Sequence, residues 1–196
     1  MSEGIFEFDT YIVLDVPPPF AGYVMDIRER HQDVFRASLP VEITVAGSSG
    51  VGVVEPGQAV QEVFSRIDEI TSQTSAFDAE FGPTIRFEGT DIFVLTLVDE
   101  TPFHELHWRI SQSGIHFKPS LYPYKPHCCL RSRSPVTEAE AAELLGVHIS
   151  GQFRLDTLSV YRLKQLPMDL LYQTKLSGKN APLRVRAPLR GGISMS

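Results

Sequence analysis

From Tyr11 to Leu163 the chain runs through one order of elements twice, and that repetition constrains its fold more than any other feature. In the first pass, "YIVLDV" (Tyr11 to Val16) is a β-rich run closed by Pro17, Pro18 and Pro19. "PFAGYVMDIRERH" then sets Phe20, Val24, Ile27 and His31 at helical spacing. "PVEITVAGSSG" reads as a short strand ended by small residues, and "QAVQEVFSRIDEITSQT" puts Val63, Ile67 and Ile70 on one helical face. "FDAEF" and "TIRFEG" predict a hairpin across Gly82-Pro83.

The order then begins again. "DIFVLTLV" is a strand, and "TPFHELHWRISQSG" predicts a helix with Thr101 as N-cap, Pro102 at its first position and Phe103, Leu106 and Ile110 on one face. "KPHCCLRS" is the next short strand. "TEAEAAELLG" carries a Thr137/Glu140 capping box and stops at Gly146, and "HISGQFRL" and "TLSVYRL" close the pass as two strands. A unit of about 80 residues present only twice predicts two pseudo-symmetric lobes, since solenoids need more copies. The fold class expected is α+β: antiparallel strands in two lobes, helices on the outside, and a cleft between the lobes. The boundaries are 1–163 for one bilobal domain, with halves at about 11–88 and 91–163, and 164–196 for a tail.

Charge separates the tail from the body. Residues 1–163 carry 23 acidic and 12 basic side chains, whereas 164–196 carry one acidic and six basic ones. The tail reads as a solvated C-terminus that pairs loosely with the acidic body, or as a basic arm for a phosphate backbone. No apolar run approaches the roughly 20 residues that span a bilayer, so no membrane partner is expected. The acidic start, "MSEGIFEFDT", does not resemble a secretory leader, which places the expected location in the cytoplasm. The two cysteines, Cys128 and Cys129, are adjacent and lack zinc-knuckle spacing, so reduced thiols are expected.

The chemistry concentrates in the two short strands. Residues i and i+2 of a strand share a face, which pairs Glu42 with Thr44 in "PVEITVA" and His127 with Cys129, then Arg131, in "KPHCCLR". One titratable and one small polar group per strand, facing each other across a cleft, suits a phosphodiester. One titratable group takes a proton from the attacking hydroxyl, the other protonates the leaving oxygen, and the small groups hold the phosphoryl oxygens. Lys125, Arg131 and Arg133 favour an anionic ligand.

The paired strands and the order of elements over residues 11 to about 163 resemble the two-histidine (2H) phosphoesterases, or 2'-5' RNA ligase-like proteins, whose motifs read His-x-Thr/Ser-x with an apolar last position. The resemblance implies action on 2',3'-cyclic, 2'-5' linked or cyclic nucleotide phosphodiesters, with no metal and no cofactor, and a nucleotide or RNA terminus as partner. It casts His127 as a catalytic acid or base and Thr44 as a phosphate-binding hydroxyl. Two positions depart from the pattern: Glu42 stands where the first histidine belongs, and Cys129 where the second Thr or Ser belongs. Glu42 can act as general acid only if the site raises its pKa. The same cleft also suits a protein that holds a nucleotide or RNA end without turnover. Tyr122 and Tyr124, leading into the second motif, are candidates to stack on a base, with loop packing against the prolines as the alternative.

Other candidates are weaker. His104 and His107 lie three apart on a helix without an evident third metal ligand. His116 and His148 are substitute proton carriers if the fold brings them to the cleft. "GSSGVGVVEPG" lacks a P-loop ending and reads as a flexible loop.

Overall fold

A computed structural model describes residues 4–133 and 135–179. The chain order is β1 (Thr10–Asp15), α1 (Phe20–Arg30), α2 (Val34–Ala37), β2 (Glu42–Ala46), β3 (Val53–Val54), α3 (Val60–Gln73), β4 (Phe77–Arg86), β5 (Phe93–Leu97), α4 (Thr101–Ser111), β6 (Phe117–Lys118), β7 (Cys128–Arg131), α5 (Glu138–Leu145), β8 (Gln152–Leu155), β9 (Thr157–Arg162) and β10 (Asp169–Lys175). The fold is α+β with antiparallel sheets. One sheet runs β10-β9-β1-β3-β6, with β2 also pairing β1; the other runs β7-β5-β4-β8.

Helical faces form where the apolar spacing predicts them. Val24 and Ile27 of α1, Val63 and Ile67 of α3, and Phe103, Leu106 and Ile110 of α4 are buried in one core shared by both sheets. The Thr137/Glu140 capping box opens α5 and Gly146 caps its end. On α4 the cap is Glu100 rather than Thr101: the Glu100 carbonyl accepts the first helical bond, from the His104 N–H at 3.0 Å, while the Asp99 carboxylate accepts from the Thr101 backbone N–H at 2.9 Å.

Four expectations need correction. The stretch read as a hairpin is one strand, β4; Gly82 and Pro83 form a bulge, visible as a register shift between Phe81 and Thr84. Thr96 fills the space that a side chain at Gly82 would need, its Oγ1 donating to the Pro83 carbonyl at 2.8 Å. The loop after the first motif contains β3, which joins β1 to β6. The sequence halves do not map onto the sheets: β4, from the first half, pairs with β5 and β8, and β9, from the second, pairs with β1. Finally, the stretch read as tail contributes β10, which pairs with β9 and places Lys175 against Asp156 at 2.9 Å. The rest of the basic arm, 180–196, lies outside the described residues.

The pseudo-symmetry that survives is the one that builds the site. The first motif strand, β2, adds to β1, and the second, β7, adds to β5; β2 and β7 then meet side by side. No helix among the described residues is long and apolar enough to cross a membrane.

Candidate active site

A cleft of about 580 Å³ opens where the two motif strands meet, and Glu42, Thr44, His127 and Cys129 all line it. The register that places them pairs Val13 with Thr44 and Asp15 with Glu42 on one side, and Val94 with Cys129 on the other. Much of the remaining wall is apolar, including Phe35, Phe87, Ile92 and Met168.

His127 precedes the first residue of β7. Its Nδ1 lies 2.7 Å from the Lys125 carbonyl, which can only accept, so Nδ1 carries the proton and Nε2 is left as a base. Nε2 has no hydrogen-bond partner among the described residues. Phe87 packs against the imidazole with its ring nearly perpendicular, centroids 5.1 Å apart. Burial is the largest cause holding the His127 pKa below its ordinary 6.5, and it outweighs the help from the Lys125 carbonyl.

Glu42 is half-buried at the cleft floor, and the same cause acts on it with the opposite sign. Desolvation raises its pKa above the ordinary 4.5, opposed by a hydrogen bond from Thr44 and by the positive charges of Arg36 and Arg28. The Thr44 hydroxyl donates to Glu42 Oε2 at 2.8 Å. The hydroxyl expected to face phosphate therefore faces the carboxyl two residues earlier.

Cys129 is 3% exposed, with Sγ directed at the carbonyls of Phe93 and Arg131, 3.8 and 3.6 Å away. Burial raises its pKa and pushes that of Cys128 up to about 12, the reverse of what a thiolate nucleophile needs. Two expected ligands are not where the pattern would put them. Arg131 is buried away from the cleft, donating from Nη1 to the His31 carbonyl at 2.9 Å and from Nη2 to the Pro135 carbonyl at 3.4 Å. Tyr124 stacks flat on His107, centroids 3.9 Å apart, and its hydroxyl donates to the Thr44 carbonyl at 3.2 Å. That ring is a strut of the loop. Tyr122, 71% exposed, remains at the cleft rim.

His107 holds the next carbonyl along β2: its Nδ1 donates to Val45 O at 2.7 Å. Together His107 and Tyr124 fasten the backbone on the C-terminal side of Glu42. His104 and His107 flank Tyr124, and among the described residues no group of three or more His, Cys, Asp or Glu side chains comes together to hold a metal ion. His116 and His148 are exposed and outside the cleft lining.

Three residues of the site were missed in the sequence reading. Arg28 is fully buried; its Nε and Nη2 donate to the Cys129 carbonyl at 3.1 and 2.8 Å, and its Nη1 reaches the carbonyls of Arg36, Leu39 and Pro40. It thereby ties the second motif strand to the approach of the first. Its signal was in view: Arg28 lies four residues after Val24, on the apolar face of α1. Asp33 caps α2, and Arg36 on α2 lines the cleft. The Asp33 to Arg36 spacing of a helix start was the available signal for both.

Comparison with known proteins bears on the family and the fold. Residues 16–166 match a family model described as the 2'-5' RNA ligase superfamily. No curated protein matches the chain. The crystal structure of TT0787 of Thermus thermophilus is similar over 88% of this chain and 100% of that one, at 12% identity and a TM-score of 0.66. E. coli LigT complexed with NADP+ is similar over 88% and 99%, at 11% identity and a TM-score of 0.56. LigT complexed with 3'-AMP is similar over 87% and 98%, at 12% identity and a TM-score of 0.54. At such identities the likeness is one of fold.

Proposed function

The chain belongs to the 2'-5' RNA ligase superfamily, and we propose that it hydrolyses a nucleotide phosphodiester, 2',3'-cyclic or 2'-5' linked, by proton transfer between His127 and Glu42. One observation carries the reading. An imidazole with an unoccupied Nε2 and a desolvated carboxyl line the same cleft from neighbouring strands, and burial moves their pKa values toward the neutral form of each. A neutral imidazole is a base and a protonated carboxyl is an acid.

The roles follow. His127 Nε2 removes a proton from water as its oxygen attacks phosphorus. Glu42 gives its proton to the leaving ribose oxygen as the P–O bond breaks. The product is a phosphomonoester, with imidazolium and carboxylate left behind, and exchange with solvent restores both. Thr44 steadies the Glu42 carboxyl through its hydroxyl. The nucleotide assignment draws support from LigT, a protein of similar fold crystallised with NADP+ and with 3'-AMP, and from exposed Tyr122 at the rim, where a base can stack.

A second reading has its own observation. Neither small polar group of the two motifs points freely into the cleft: Thr44 is engaged with Glu42, and the Cys129 thiol is directed at backbone. On that reading the protein binds a nucleotide end and does not turn it over.

An assay with 2',3'-cyclic and 2'-5' linked substrates on wild type, His127→Ala, Glu42→Gln and Glu42→His separates the two. Hydrolysis by wild type that drops roughly 10²- to 10⁴-fold in the first two variants supports the enzyme. Turnover that appears only in Glu42→His supports binding without catalysis.

A further inference from the structure

We propose that Arg36 is the residue that holds the phosphate in this cleft, its guanidinium fork taking the two non-bridging oxygens of the diester. The assignment rests on the phosphodiester reading above, and it names a contact that the motif pattern does not contain.

The groups that the pattern would offer to an anion are committed elsewhere. Thr44 donates to Glu42, the Cys129 thiol is turned to the carbonyls of Phe93 and Arg131, and Arg131 is buried against the carbonyls of His31 and Pro135. A phosphodiester is a full negative charge, and burying it without a cation is costly. Among the described residues, three cationic side chains line the cleft: Arg36, Lys125 and Arg133. Lys125 is paired with Glu100. Arg133 is spread over the face of Phe35, with its guanidinium carbon 3.5 Å from the ring centroid.

Arg36 differs from both in degree: its guanidinium carbon lies 5.5 Å from the Phe35 ring centroid, against 3.5 Å for Arg133, and it is paired with no carboxylate among the described residues. Its side chain makes one hydrogen bond, Nε to Ser132 Oγ at 2.7 Å, and among the described residues its Nη1 and Nη2 meet no carboxylate and no acceptor. A guanidinium has five N–H donors in a rigid plane, so one anchor at Nε leaves the outer fork available in a fixed direction. That fork matches the spacing of two phosphoryl oxygens.

The mounting of Arg36 is a second, independent observation. Asp33, 2% exposed, accepts from the Arg36 backbone N–H at 2.9 Å with one carboxylate oxygen and from the Ser132 N–H at 2.7 Å with the other. One buried carboxylate thus sets both the residue and the hydroxyl that aims its side chain. The Arg36 carbonyl accepts from Arg28, whose other nitrogens grip the Cys129 carbonyl. The cation is consequently fixed to the strand that follows His127. It lines the same cleft as Glu42 and His127. Hydrolysis adds negative charge to the phosphoryl oxygens on the way to the transition state, so a fixed fork stabilises that state more than the bound substrate.

The test compares Arg36→Lys, Ser132→Ala and Arg133→Gln with wild type, using 2',3'-cyclic AMP for turnover and thermal melting for fold. Arg36→Lys keeps the charge and loses the fork; its kcat/KM is expected to fall about 10²-fold, mostly in kcat. Ser132→Ala frees the anchor and is expected to cost roughly 3- to 10-fold, the worth of one hydrogen bond. Arg133→Gln removes a whole charge from the cleft lining, yet it is expected to cost clearly less than Arg36→Lys, because the Arg133 guanidinium is exposed and spread on Phe35. Calorimetric binding of 2',3'-cyclic AMP to His127→Ala, with and without Arg36→Lys, reads the same contact without turnover and is expected to weaken when the fork is lost. Folded Arg36→Lys that matches wild type in kcat/KM and leaves that binding unchanged overturns the assignment while the phosphodiester reading stands. Equal losses in Arg36→Lys and Arg133→Gln overturn it in favour of a diffuse field. Wild type that neither binds nor cleaves the diester brings down both.

Discussion

His127 and Glu42 owe their roles to burial acting on opposite charges. A desolvated imidazole resists its proton and a desolvated carboxyl keeps one. In the proposed mechanism kcat/KM therefore rises with pH through the His127 pKa, which lies below 6.5, and falls through the Glu42 pKa, which lies above 4.5. The expected profile is a bell on the mildly acidic side of neutrality, and Glu42→Gln should flatten its alkaline limb while lowering the rate. An alkaline optimum indifferent to that substitution would refute the assignment. Stability should move the other way. Because the folded state raises the Glu42 pKa, it binds more protons than the unfolded chain, and the stability so conferred is present below 4.5 and lost as pH rises through the folded value. Glu42→Gln cannot ionise, so melting at pH 8 and pH 5 should show a larger stability advantage for the variant at pH 8. The identity and strand position of Glu42 were readable in the sequence. Its desolvation was not, because the walls that remove water, Phe35, Phe87 and Met168 among them, come from segments far apart in the chain.

At the level of elements, local periodicity carried most of the reading, and the errors fall where a tertiary contact overrode it. Gly82-Pro83 has turn chemistry, yet β5 and β8 pair along both ends of β4 and keep it extended through a bulge. The four residues of α2 have no apolar repeat to announce them; Asp33 and the backbone donors it gathers define that element. Arg28 shows how much such contacts weigh. An arginine in a core can sometimes be replaced by an apolar residue of similar size at no loss. Here the acceptors are main-chain carbonyls that stay behind when the side chain is removed: those of Cys129, Leu39 and Pro40, and that of Arg36, which keeps a bond from the Leu39 N–H at 3.1 Å. Each buried carbonyl left unpaired costs about 1–3 kcal/mol. Allowing for partial hydration, Arg28→Met should lose roughly 3–5 kcal/mol, seen as a melting point lower by about 6–20 °C for a chain of this size. Arg28→Lys should not restore it, since three donors on one nitrogen cannot span both strands. Gly50 makes a smaller test of the same scaffold. Its φ is +66°, and a Cβ there would sit 2.3 Å from His107 Cε1 and 2.9 Å from Tyr124 Cβ. Gly50→Ala should cost about 1–3 kcal/mol in melting experiments and disturb the pair that fastens β2.

On the scale of the whole molecule, the duplication predicted two lobes, and the chain builds them by exchanging strands between its halves. β4 leaves the first half to pair with β5 and β8, while β9 and β10 return from the second half to the sheet of β1. Pairing partners are invisible to periodicity, which gives each strand a face and no neighbour, so this exchange could not be read from the sequence. It has a physical consequence. Neither half holds a complete sheet: without β9, the residues Ile12 and Leu14 of β1, now fully buried, lose the cover of Val160 and Leu158. Without β4, β5 and β8 are separated and Phe153 loses its contact with Phe81. Two chains cut at the exposed turn between Glu88 and Gly89 should therefore each lack cooperative melting, since a fragment of that size with an unpaired apolar sheet edge buries too little to offset its ordering entropy. Mixed in equal amounts, the two should regain near-native far-ultraviolet dichroism and a single melting transition, at a temperature that rises with concentration because folding has become an association. A first half that melts cooperatively by itself would show that β1, β2 and α3 are sufficient without the strands lent to them, and the interdigitated architecture would then be a consequence of docking between two independent domains.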